Sequence, residues 1–234
     1  MSAAPTPGFC ERAWSATAGL QEQLVHHPFN EALAAGTLAP ARFAYYLVQD
    51  SRYLKDFSVA LAEAGRRSDV AAEAEFFAGS AQRALGVERA LHAGYLSRLL
   101  GPGDAERVRT SAACGAYTAF LARAAAHQPY PVLVAALVPC FWVYRHVGQR
   151  ILARTAAQAD HPYRAWIDTY ADAAFAAAVD QVKAIADRRA REAADQVPAM
   201  LAAFTAATRH ERSFWDAAWS ASLSDLPDPP YGTD

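Results

Sequence analysis

Apolar residues recur at three- and four-residue spacing along nearly the whole chain, the period of a helix with one face turned to a core. A first amphipathic run extends from about Phe9 to His26 and stops at His27-Pro28, since the residue before a proline is driven out of the α region. A short segment, Phe29–Ala35, ends at Gly36. Pro40 opens a longer helix that reaches Ala64 and stops at Gly65. Ser68-Asp69 reads as an N-cap pair for a helix running to Leu100, with Gly79 and Gly86 as its weak points. Gly101-Pro102-Gly103-Asp104 is the clearest turn. Helix resumes to about Ala126 and again from Pro131 to Ala157. Asp160-His161-Pro162 caps a helix reaching about Arg191, and a last one covers Ala193–Ser222. No stretch alternates with the period of a strand, and there is no repeat or low-complexity linker. Connections this short make neighbouring helices pack antiparallel. The expectation is one all-α domain over residues 9–223, with a flexible N-terminus at 1–8 and a proline-rich tail at 224–234.

Composition supports that picture. The chain has 234 residues, 53% hydrophobic and 20% charged, enough to bury a sizeable core, and alanine dominates over β-branched residues. A net charge of −2 gives no electrostatic footprint for nucleic acid. The longest apolar run, Val132–Val138, halts at Pro139, well short of the roughly 18 residues a membrane span requires, so no membrane partner is expected. Cys10, Cys114 and Cys140 are too few and too scattered for a disulfide framework. Unpaired cysteines and an N-terminus without signal-peptide character make the cytoplasm the expected location.

The most informative window is Ala136–Arg150. Cys140 follows Pro139 inside a helical run, among Phe141, Trp142 and Tyr144. Pro139 lacks an N–H and is expected to kink the helix and open space. Cys140 and Tyr144, four apart, share a face. A free cysteine is most often a small buried hydrophobe, so this window leaves both a packing and a reactive role open. Four further windows set polar groups among aromatics. In Tyr45–Leu54, Asp50 shares a helix face with Tyr46 and Tyr53. Tyr117 lies in Ala116–Leu121, and Tyr170 ends the run Tyr163–Tyr170. In Arg209–Asp216, Glu211 shares a face with Phe214 and Trp215. Together these supply a thiol, two carboxylates and several phenols, able to stack a flat heteroaromatic ring and address its nitrogens. Glu88 and His92 have metal-ligand spacing, but no second such pair stands in a likely partner helix. They read as a surface or inter-helix hydrogen bond, and no metal or cofactor is expected.

The motifs His27-Pro28-Phe29, Tyr46-Leu47-x-Gln49-Asp50-x-x-Tyr53-Leu54, Ala116-Tyr117-Thr118, Pro139-Cys140-x-Trp142-x-Tyr144, Pro162-Tyr163-x-x-Trp166-Ile167-x-Thr169-Tyr170 and Glu211-x-x-Phe214-Trp215-Asp216 occur in one order between about residues 20 and 219. In this the chain resembles the TenA family, the thiaminase II proteins, in its cysteine-containing branch. The resemblance implies a haem-oxygenase-like helical bundle assembled as a homotetramer. It implies hydrolysis of 4-amino-5-aminomethyl-2-methylpyrimidine to the hydroxymethylpyrimidine and ammonia in thiamin salvage, with thiamin as a further substrate. Carried over, Cys140 is the nucleophile, Asp50 recognises the aminopyrimidine edge and Glu211 transfers protons. Tyr46, Tyr53, Tyr117, Tyr144, Tyr170 and Phe214 line or tune the pocket. The chain departs from the commoner pattern at Ser51, where an aromatic often follows the aspartate, and at His210, where tyrosine is more frequent. Both bear on substrate preference. Two other classes share these features: a non-catalytic pyrimidine- or thiamin-binding regulator, and a metal-dependent oxidase of the haem-oxygenase type.

Overall fold

The computed structural model describes residues 7–101, 103–156, 158, 160–170, 172–221 and 225. Residues 1–6, Ala157, Ser222 and the tail beyond Asp225 therefore lie outside it, as do the side chains of residues 91–93. Helices α1 (Phe9–Ala16) and α2 (Ala18–Val25) replace the single run expected over 9–26. The break falls at buried Thr17, whose hydroxyl donates to the carbonyls of Ala13 and Trp14 at 2.9 and 3.2 Å, a back-bond that favours a bend. His27 caps α3 (Pro28–Ala34), its Nδ1 accepting from the Phe29 N–H at 3.1 Å. Gly36 ends that segment with a positive φ of 71°.

Helix α4 (Pro40–Arg67) runs past Gly65. That glycine is a contact point instead of a terminator, because a Cβ there would sit 3.1 Å from the Ala74 carbonyl of α5 (Ala71–Leu91). α5 does not reach Leu100 as one α-helix. It passes into a π-helical turn over His92–Leu96 and then the short α6 (Ser97–Leu99). The Asp104 N–H donates to the Gly101 carbonyl at 3.2 Å, and Gly103, at φ 81°, leads into α7 (Asp104–Arg107). Ser111 then caps α8 (Ala112–His127), its Oγ accepting from the Cys114 N–H at 3.0 Å.

Helix α9 (Tyr130–Thr155) is unbroken through Pro139. The apolar run thus does not stop there. By length and composition α9 passes the test for a membrane span, but 72% of that window is buried inside the bundle. It is the central helix, packed by α4, α8, α11 and α12. His161 accepts from the Tyr163 N–H at 3.2 Å ahead of α10 (Arg164–Thr169), repeating the His27 arrangement. The expected helix to Arg191 is in fact two: the chain breaks around Tyr170, and the Asp172 side chain restarts it as α11 (Ala173–Glu192). A 3₁₀ turn (Ala194–Gln196) precedes α12 (Val197–Ser220). Among the described residues all regular structure is helical, as the sequence predicts.

Candidate active site

The interior opens into a cavity of about 440 Å³ walled by five helices, α4, α5, α9, α10 and α11, and by Tyr170 and Asp172 between the last two. α4 contributes Asp50 and Tyr53 from adjoining turns of one face, with Leu54 and Phe57 beyond them. α9 contributes Cys140, Phe141 and Tyr144, so the thiol and the phenol four residues on do share a wall. Tyr170 closes the inner end from the break between α10 and α11. It packs so tightly on Gly148 of α9 that a Cβ there would fall 2.5 Å from the Tyr170 Cβ. Of the nine residues singled out, Asp50, Tyr53, Cys140, Tyr144 and Tyr170 face the cavity. Tyr46, Tyr117, Glu211 and Phe214 are buried in the layer behind them.

Behind the wall the polar atoms are joined. The Tyr117 hydroxyl donates to Glu211 Oε1 at 2.6 Å, and the Tyr46 and Tyr144 hydroxyls pair at 3.1 Å. Tyr53 stacks between Phe57 and Tyr117, with centroids at 5.5 and 4.7 Å. Its hydroxyl has no conventional hydrogen-bond partner among the described residues. It interacts instead with the Cys140 thiol, whose ionised form it favours.

Burial dominates the electrostatics. Asp50 is 5% exposed with no hydrogen-bonded partner for its carboxyl among the described residues, and desolvation lifts its pKa to about 7. Glu211 is 1% exposed; burial lifts it to about 8, against the Tyr117 hydrogen bond and with the Asp50 charge adding to the rise. Burial also pushes the Cys140 thiol well up, reinforced by Glu211 and opposed by Tyr53. In the resting site, then, protons stay on the sulfur and on Glu211 at neutral pH.

Two departures from the family pattern separate. Ser51 is not at the cavity: its Oγ donates to Glu88 Oε1 at 2.8 Å, tying α4 to α5. His210 lies behind the wall, stacked on Tyr117 with centroids 5.1 Å apart and planes 10° from parallel. Glu88 also pairs with Lys55 at 3.3 Å. Among the described residues no group of three or more His, Cys, Asp or Glu is placed to hold a metal ion.

Sequence reasoning missed the cavity's outer wall: Ser80, Arg83, Ala84 and Val87 of α5, Thr169 of α10, and Asp172, Phe175 and Ala178 around the start of α11. Phe57 alone left a signal, one turn beyond Tyr53 on the face already marked by Asp50.

A helical bundle that gathers a thiol, a carboxyl and phenols around an apolar cavity has the character of a small-molecule pocket, apolar with a few convergent polar groups. Residues 14–221 match the TENA/THI-4/PQQC family, and the chain belongs to that family. It is 31% identical over 215 residues to the aminopyrimidine aminohydrolase of Bacillus subtilis, covering 90% of this chain and 89% of that protein. It is 34% identical over 218 residues to the thiamine biosynthesis multifunctional protein ThiED of Corynebacterium efficiens, covering 92% of this chain. The chain spans only 29% of the length of that relative. Among solved structures, the TenA homologue from P. horikoshii OT3 superposes with a TM-score of 0.82 at 23% identity, covering 92% of this chain and all of that one. A Shewanella denitrificans domain with a haem oxygenase-like fold gives 0.75 at 15% identity, covering 98% of this chain and 100% of its own. The architecture is therefore the haem-oxygenase-like bundle.

Proposed function

We propose that the protein is an aminopyrimidine aminohydrolase, a thiaminase II. It would convert 4-amino-5-aminomethyl-2-methylpyrimidine and water to the hydroxymethylpyrimidine and ammonia, with thiamin as a second substrate. The observation that carries this reading is the unpaired Asp50 carboxyl beside the Cys140 thiol in one aromatic cavity. The similarity to an aminopyrimidine aminohydrolase over most of both chains supports it.

Asp50 meets the edge where an aminopyrimidine offers a ring nitrogen and an exocyclic amine, and a carboxyl pairs with both at once. Tyr53, Tyr144 and Tyr170 stack against the ring. The electron-rich ring resists direct displacement at its methylene substituent. Cys140 therefore adds to a ring carbon through sulfur, and a ring nitrogen gains the proton that the thiol loses. Glu211, poised to about 8 and protonated in the resting site, gives its proton to the ring nitrogen and takes the thiol proton in exchange, and the transfer reverses when sulfur leaves. The loss of aromaticity expels the protonated amine and leaves an exocyclic methylene. Water adds there and gives up its proton, sulfur departs as thiolate, and the ring is restored. One difficult substitution becomes two easier steps, with no cofactor needed to balance them.

For assembly and location the reading is a cytoplasmic homotetramer, supported by the family resemblance and the three unpaired cysteines; sedimentation velocity checks the assembly. The primary test is ammonia release from the aminomethylpyrimidine, with Cys140→Ala alongside and chelator present. Release that survives chelation and falls at least about a thousandfold in the variant supports covalent cysteine catalysis. Tight binding without any turnover by the intact protein would instead make it a pyrimidine-binding regulator.

A further inference from the structure

The cavity has two chemically different ends. Asp50 and Tyr53 are buried at its inner end, whereas Arg83, Val87 and Asp172 are solvent-exposed at its mouth. Its 440 Å³ corresponds to roughly fifteen water molecules at about 30 Å³ each, so a single pyrimidine ring fills only part of it. Between the ends the wall is apolar, with Phe57 on one side and Phe175 on the other.

Arg83 is held over its own helix. Its Nη2 donates to Ser80 Oγ at 2.8 Å, and the missing side chain of Gly79 leaves room for Nη1, which would lie 3.3 Å from a Cβ there. It forms no ion pair with any described residue, so most of its donors remain available. Asp172, the other charged group at the mouth, is already engaged: its Oδ1 accepts from the Ala174 N–H at 2.9 Å and caps the positive end of α11. The cation is thus the free charge at the mouth, and the carboxyls stand at the far end.

We propose that the outer half of the cavity is a subsite for a leaving group ending in a phosphate monoester, with Arg83 as its receptor. The inference rests on the aminopyrimidine reading, since it is that ring which anchors at Asp50. The ring sits at the inner end, the leaving group lies along the apolar wall, and the guanidinium fork receives the phosphate oxygens. Arg83 is then a specificity-determining residue that selects phosphorylated over plain substrates.

The test uses Cys140→Ala protein, which holds substrate without cleaving it, and compares equilibrium binding of thiamin monophosphate and thiamin. A single charge-assisted contact at a solvent-exposed mouth should favour the phosphate ester by about tenfold. That preference should vanish in Cys140→Ala/Arg83→Gln and return in part with Arg83→Lys. An unchanged preference on removing Arg83, or none to begin with, overturns the subsite. Should the Gln variant fail to fold, salt decides: a preference that does not shrink between about 0.05 and 0.5 M ionic strength also overturns it. Ammonia release by the wild-type chain is scored separately, so loss of the hydrolase reading and loss of the subsite are distinct results.

Discussion

Glu73 and Glu211 are both 1% exposed, yet the protein treats them in opposite ways. Glu73 lies near the start of α5, where Arg188 and Arg189 of α11 converge on it and the Tyr130 hydroxyl donates at 2.7 Å. Burial alone would raise its pKa, but these partners prevail and hold it below the ordinary glutamate value. At the cavity, Asp50 and Glu211 meet no cation among the described residues, and burial drives both upward. The difference is one of partners, not depth. A buried carboxylate given arginines fastens helices together. Denied them, it keeps a proton that it can exchange, and the protein accepts a less stable site in return.

The largest effect expected from breaking this contrast is at the clamp. Glu73→Ala should lower stability by about 3 kcal/mol, because it takes the buried partner from the Tyr130 hydroxyl and from Arg189, which keeps only the exposed Asp69 and Glu192. Urea unfolding measures the loss, and activity per folded molecule should hold. Glu211→Gln should do the reverse: ammonia release falls by about a hundredfold or more, while stability at pH 8 holds or rises. A Glu211→Gln protein as unstable as Glu73→Ala would refute the distinction. Gly148→Ala comes next, since its Cβ must push Tyr170 out of place. A cost of about 1–3 kcal/mol in kcat/KM or stability is expected, together with weaker binding of aminopyrimidine.

The smallest effect is the dependence on pH, and its sign differs between the regions. Because the folded pKa values of Asp50 and Glu211 are raised, their contribution to stability is complete below about pH 4 and is lost as pH rises through about 7 and 8. Glu73, with a lowered pKa, contributes above its ordinary value and loses that contribution on acidification. Thermal melts from about pH 2 to 9 should fall on both sides, the acid limb lying below the ordinary glutamate pKa. Asp50→Asn/Glu211→Gln should flatten the alkaline limb by about 1 kcal/mol or more and leave the acid limb unchanged.

Much of this was legible along the chain because helix periodicity, prolines and caps are local signals. The face shared by Asp50 and Tyr53, and that shared by Cys140 and Tyr144, follow from spacing alone. Breaks made by side chains are harder to see. The first run breaks at Thr17, where a buried hydroxyl bonds back to α1, and the halt at Tyr170 depends on contact with Gly148 across the bundle. Gly65, read as a stop, is a place of close approach between two helices. The α5 wall left no mark, since Ser80, Arg83 and Ala84 read as ordinary helical surface until α11 is packed opposite them. Glu73 escaped notice for the same reason: its arginines lie more than a hundred residues away in sequence.

The π-helical turn at His92–Leu96 has a reach well beyond its length. A helix that takes in one extra residue turns everything after it by about 100°. Within that turn, the Tyr95 hydroxyl accepts from the Trp166 N–H at 2.9 Å, and Trp166 packs against Tyr170 with centroids 4.7 Å apart. The insertion sets the phase of a gear. Wound as a regular α-helix with the same residues, the segment would carry Tyr95 round the axis and off its tooth. The cavity's inner phenol would lose its backing without any change to a residue that touches substrate.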